Sequence, residues 1–167
     1  RWTVYYGTSL PASAFASFDL VVLDAEHVAP IQELKAQGKT VLGYLSLGEA
    51  EDYRPYYAAV RDKKLLLEAN PQWAGHYIID IRKPEWEELV IKELIPSLIG
   101  KGFDGVMFDT IDSPLHLSLS KPGKYPGMED AAVNLLCAIR KAHPDFKLML
   151  NRGFEILTRA ATCIDMV

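Results

Sequence analysis

The chain has 167 residues, 49% hydrophobic and 24% charged, which excludes a disordered segment and allows one domain with a real core. Its formal net charge of −4 argues against a general nucleic-acid surface and favours a cationic ligand. No apolar run approaches the ~20 residues that span a bilayer, so no membrane span is expected. Arg1-Trp2 leads straight into a strand-like run, so any export signal is expected to have been removed or never present.

Short apolar runs alternate with longer amphipathic ones. The predicted strands are Thr3–Gly7, Leu20–Asp24, Thr40–Ser46, Tyr77–Ile81, Gly105–Asp109, Lys147–Asn151 and Cys163–Val167. They are continuously apolar rather than alternating, as expected of parallel strands covered on both faces. Helices are predicted over Ile31–Gln37, from Pro84 to about Ile99, over Met128–Ala142 and over Phe154–Ala161. Pro84 suits a first helical position, and Glu85, Glu87 and Glu88 suit the positive end of the helix dipole. Cys137 and Cys163 fall in a predicted helix and a predicted strand and belong to no CxxC pair, so they read as two buried thiols.

Strand–helix alternation means an α/β fold. After the first strand, Gly7-Thr8-Ser9-Leu10-Pro11 lacks the GxGxxG pattern of a doubly wound, dinucleotide-binding sheet. A TIM-type (β/α)8 barrel carries its functional residues on many strand tips, and that distribution is present here. Such barrels run to about 250 residues. The expectation is therefore a single barrel domain over residues 1–167, with the C-terminal part after strand seven missing from this chain.

Polar residues follow the apolar runs: Tyr5 and Tyr6; Asp24, Glu26 and His27; Tyr44, Ser46, Glu49, Glu51, Asp52 and Tyr53; Asp80 and Arg82; Asp109 and Asp112; Asn151 and Arg152. In a barrel these tips converge on one mouth. Asp109, directly on a buried strand end, is the strongest functional candidate. Asp24 and Asp112 divide evenly between function and capping or turn roles, and Asp80, close before Pro84, favours a turn. The histidines show no metal-ligand spacing, and neither a GxSxG elbow nor a phosphate loop occurs. No metal and no cofactor is expected. A mouth rich in carboxylates and aromatic rings suits glycoside hydrolysis, which needs two carboxyl groups flanking one bond.

The stretches FDLVVLDAEH (18–27), GYLSLGEAE (43–51), GVMFDTIDS (105–113) and LNRGFEIL (150–157) resemble glycoside hydrolases of the endo-alpha-1,4-polygalactosaminidase type, including hydrolase domains of Pel biofilm-polysaccharide biosynthesis. The resemblance implies endo-hydrolysis of a galactosamine-rich polymer containing N-acetylgalactosamine, by a bacterial protein that is periplasmic or secreted. It implies a catalytic role for Asp109 and substrate-binding roles for Asp24, Tyr44, Glu49, Asp112, Asn151 and Arg152. The family's second catalytic carboxylate is a glutamate closely following the seventh strand, past Val167. Asp165, inside that strand run, does not match it. The implied partners are a cationic, partly deacetylated polysaccharide and other exopolysaccharide biosynthesis proteins. Two rivals stand beside this reading: a non-catalytic polysaccharide-binding barrel, and a metal-assisted hydrolase with Asp24, Glu49 and Asp109 as ligands.

Overall fold

The computed structural model describes residues 1–167. Five parallel strands form the main sheet: β1 (Trp2–Tyr5), β2 (Leu20–Asp24), β3 (Thr40–Ser46), β7 (Gly105–Asp109) and β8 (Lys147–Leu150), in the spatial order β1-β2-β3-β7-β8. Every partner in this sheet is parallel, and the register sets Asp24 beside Tyr44 and Ser46 beside Asp109. Helices cross between consecutive strands and cover one face. The result is the layout of an open (β/α) barrel, with the strand tips gathered at one end.

The three remaining strands depart from the expected pattern. Tyr77–Ile81 reads as a barrel strand in the sequence, but β6 (His76–Ile79) is antiparallel and lies in a separate sheet. Its partners are β4 (Glu49–Glu51) and β5 (Leu66–Ala69), in the order β4-β6-β5. An apolar run of this length is equally compatible with either kind of sheet, because both faces of β6 end up covered. The last run, Cys163–Val167, contributes a single parallel bridge, Met149 to Met166, rather than a full strand.

Packing explains which residues face where. The outer faces of β2, β3, β7 and β8 join Leu34, Trp86, Leu98, Leu135 and Ile139 from the helices in one large core. The opposite faces bring Val22, Leu42, Tyr44, Met107 and Met149 together as the filling of the barrel interior. Trp86 is fully buried and its Nε1 donates to the Leu47 carbonyl at 3.2 Å, so α3 (Pro84–Leu89) is pinned under the tip of β3. The predicted long helix from Pro84 is continuous but widens to a π turn at Val90–Leu94 before α4 (Ile95–Gly100). Pro96 accounts for the wide turn: it has no N–H to donate, and its ring would strike the carbonyl four residues back in a regular helix. The expected helix α6 (Met128–Ala142) is present, with acids in its first turn and bases in its last.

Cys137 and Cys163 correct the reading of two free thiols: they form a disulfide, with Cα atoms 4.9 Å apart and 26 residues apart in sequence. No spacing motif announces it. α6 and the C-terminal turn are brought together by the fold. Closing a loop of that length contributes roughly 3 kcal/mol by restricting the unfolded chain. A Cys137→Ala/Cys163→Ala double variant is therefore expected to unfold at lower urea with an unchanged fold by circular dichroism, and an unmoved urea midpoint would contradict the assignment.

Candidate active site

The strand tips open into one cavity of about 800 Å³. Its walls hold every sequence-nominated site residue: Asp24 from β2, Tyr44 from β3, Glu49 from β4, Asp109 from β7, Asp112 opening α5 (Asp112–Ser120), and Asn151 and Arg152 after β8. Tyr6, Glu51 and Tyr53 join them. Other tips stay outside. Glu26 pairs with Lys101 at 2.9 Å on the outer surface. His27 bonds the Leu10 carbonyl through Nε2. Asp80 accepts from Arg82 Nε at 2.7 Å and from the Arg82 backbone N–H, the turn role its sequence position favours. Asp165 accepts the Leu148 N–H and pairs with Arg140, so it anchors the sheet away from the mouth.

Asp109 is held from both sides. Tyr44 Oη donates to Oδ2 at 3.0 Å and Asn151 Nδ2 donates to Oδ1 at 2.9 Å. Two neutral donors aimed at one carboxylate fix its direction. Burial first, and then the charge of Asp109, push the Tyr44 hydroxyl far above its usual range, so Tyr44 stays a donor. Immediately after Asp109 the chain turns with Thr110 at φ 63, a left-handed conformation that is unusual for a β-branched residue. The Thr110 side chain holds that turn: Oγ1 accepts the Gly48 N–H at 3.1 Å and bonds Ser46 Oγ at 2.7 Å. Gly48 is required here, because a Cβ would sit 2.1 Å from the Thr110 carbonyl oxygen.

A second group surrounds Arg54. Its guanidinium pairs with Asp24 at 2.9 Å and with Glu51 at 3.5 Å, and all three side chains are largely buried. Burial opposes the charge on Arg54, but Glu51 and Asp24 outweigh it and hold the guanidinium protonated. For Glu51 burial wins: its carboxyl is pushed up from its usual range, against the pull of Arg54. A third group centres on Glu49, only 1% exposed. It accepts from Ser113 Oγ at 2.5 Å and Asn70 Nδ2 at 2.8 Å, and meets His76 Nδ1 at 3.3 Å. Asp112 faces Arg152 at 3.3 Å near the rim. Asp24, Glu49 and Asp109 thus belong to three separate networks within one cavity.

Sequence reasoning missed Arg54, Asn70, Gln72, Trp73, His76 and Thr110, all of which line the cavity. Five of them arrive on the small antiparallel sheet or its approaches, whose position the sequence did not reveal. One signal was present: Asn70-Pro71-Gln72-Trp73 places a tryptophan in an otherwise polar turn.

Carboxylates and aromatic rings thus gather around the mouth of a (β/α) barrel. The chain belongs to glycoside-hydrolase family GH114, whose family profile matches residues 1–167. It is 28% identical to the glycoside hydrolase domain of PelA from Pseudomonas aeruginosa, with a TM-score of 0.81 over 98% of this chain and 64% of that one. Ega3 of Aspergillus fumigatus, solved in complex with galactosamine, shares the fold at a TM-score of 0.82 and 17% identity, with the same coverage. An uncharacterised protein of Deinococcus radiodurans is 30% identical over 98% of this chain and 56% of its own length. The chain thus spans about half the length of that relative, and 32% of protein MJ1477 of Methanocaldococcus jannaschii, to which it is 39% identical over 59% of the chain.

The raised Glu51 carboxyl has a consequence for stability. Folding favours its neutral form, so its contribution is present below the unfolded value near 4.5 and is lost as pH rises through the higher folded value. Glu51→Gln does not titrate. Its stability relative to wild type is expected to be greater at pH 7 than at pH 4 in urea denaturation, and a difference independent of pH would contradict this account of the site.

Proposed function

We propose that this chain is the main part of an endo-acting glycoside hydrolase for a cationic, partly deacetylated polymer of alpha-1,4-linked galactosamine and N-acetylgalactosamine. The observation that carries the proposal is the charge of the cavity joined to its family. Five acidic side chains and two guanidiniums line it, an excess of acids over fixed cations even with the Glu51 carboxyl pushed towards its neutral form. An ammonium-bearing sugar replaces the missing cations, and a cleft lined by one sign of charge concentrates such a substrate. Ega3, which shares this fold, was solved with galactosamine, and the matching domain of PelA is a glycoside hydrolase; both are in keeping with this reading.

Asp109 is one catalytic carboxylate, acting as nucleophile or as the base that activates water. Tyr44 and Asn151 each hold one of its two oxygens and so fix the carboxylate at the cavity wall. The partner acid, which protonates the leaving oxygen, is on the family resemblance a glutamate beyond Val167. Asp24, Glu49, Glu51 and Asp112 supply the negative field, and Asn151 and Arg152 add donors for sugar hydroxyls at the rim. The disulfide between Cys137 and Cys163 supports an oxidising compartment, such as the periplasm or the cell exterior. No helix is long and apolar enough to cross a membrane.

The test uses the full-length natural protein and partly deacetylated alpha-1,4-galactosamine polymer, with products followed by mass spectrometry. Wild type is expected to release oligosaccharides of mixed length. Asp109→Asn is expected to lower kcat by roughly three orders of magnitude or more while KM stays within a few-fold. Hydrolysis that survives the substitution would remove Asp109 from the chemistry. An intact polymer that still binds wild type would make this a holding barrel.

A further inference from the structure

The small antiparallel sheet raises a question that the carboxylates do not answer. Trp73 is 63% exposed and Tyr53 67% exposed, yet both line the same cavity as Asp109. Large aromatic rings left in water beside a polar cleft mark a surface that something covers. Between them stands His76, with ring centroids 6.1 Å from Trp73 and 6.5 Å from Tyr53. The Arg54 guanidinium lies 5.1 Å from the Tyr53 centroid and covers one face of that ring.

The exposed rings are not on a loose segment. The Asn70 N–H donates to the His76 carbonyl at 2.8 Å, and the His76 N–H returns to the Trp73 carbonyl at 3.2 Å. Asn70 Oδ1 accepts the Gln72 N–H at 2.9 Å, while its Nδ2 is tied to buried Glu49. The Gly75 carbonyl accepts the Asp52 N–H at 2.9 Å, and Gly75 sits at φ +81 with the Asp52 carboxylate 2.9 Å from where a Cβ would be. The turn that carries Trp73 is thus fixed by bonds on both sides. A binding surface held ready in this way loses little freedom when its ligand arrives.

We infer that Trp73 and Tyr53 form an outer sugar subsite, built by the β4-β6-β5 sheet, that stacks a galactosamine ring of the same polymer away from the one that reacts. This inference rests on the proposed function and extends it. The ring chemistry fits: the axial 4-hydroxyl of a galacto sugar leaves the hydrogens of C3, C4 and C5 together on the other face, an apolar patch suited to an indole. An ammonium on such a ring is also attracted to the indole face. The space fits as well. A cavity of about 800 Å³ lies in the upper part of the range, roughly 300–1,000 Å³, that encloses drug-sized ligands, and it exceeds what one hexosamine needs. Glu49 links the subsite to the strand-tip network, because its oxygens engage Asn70 and His76 on one side and Ser113 of α5 on the other.

The experiment measures binding without cleavage. In the full-length protein carrying Asp109→Asn, the affinity for an alpha-1,4-linked galactosamine hexamer is compared by calorimetry with and without Trp73→Ala, and with Trp73→Phe. The expected result is a loss of about tenfold for Trp73→Ala, with most of the affinity kept by Trp73→Phe, which retains a flat ring. Hexamer affinity unchanged in Trp73→Ala would overturn the subsite, as would equal losses in the alanine and phenylalanine variants. A hexamer that fails to bind even with Trp73 intact would overturn the polygalactosamine reading itself, and the subsite with it, which distinguishes the two failures.

Discussion

The junction between the tips of β3 and β7 is the constraint on which the site depends. The Leu47 N–H reaches the Asp109 carbonyl at 2.8 Å, and the Gly48 N–H and the Ser46 hydroxyl both meet the Thr110 hydroxyl. With Thr110 in the left-handed region, the chain leaves β7 abruptly and α5 begins two residues later. A β-branched residue in that conformation costs of order 1–3 kcal/mol unless its surroundings enforce it. Here three bonds and the absence of a Cβ on Gly48 do so. The consequence is geometric. Asp109 ends its strand at the mouth, Ser113 comes under Glu49, and β4 leaves the barrel sheet to pair antiparallel with β6.

From that junction the electrostatics follow. The barrel gives the mouth more acids than it can neutralise with its own cations. Arg54 serves two carboxylates at once, and Arg152 serves one at the rim. Uncharged donors do the rest: Tyr44 and Asn151 for Asp109, Ser113 and Asn70 for Glu49. Such donors orient a carboxylate without cancelling its charge, so the cavity is ordered before any ligand arrives and remains negative. Buried charges left this way are costly to the fold and useful to a binding site. The raised carboxyl of Glu51 records part of that cost.

Much of this was legible in the sequence, for a physical reason. A parallel strand buried on both faces is a continuous apolar run, so β2, β3, β7 and β8 were visible, and the polar residue ending each run had to lie at a tip. Asp24, Asp109 and Asn151 were found in that way. The small sheet was not. β6 has the same apolar signature as a barrel strand, and β4 is three residues of Glu-Ala-Glu whose burial comes entirely from tertiary contacts. Arg54 and His76 entered the site with that sheet. α5 was hidden because Asp-Ser-Pro reads as a turn, although proline is tolerated in a first helical turn. The disulfide was hidden because its partners are brought together by the fold alone.

The central claim is that the uncompensated negative charge at the strand tips selects a cationic sugar chain. The most direct measurement compares binding of a fully deacetylated and a fully N-acetylated alpha-1,4-linked oligosaccharide of equal length to the full-length protein carrying Asp109→Asn, at low and high ionic strength. The account predicts tighter binding of the deacetylated chain at low salt and a marked loss of that preference as screening shortens the reach of the acidic residues. Equal affinity for the two chains at low salt, or a preference untouched by salt, would contradict it.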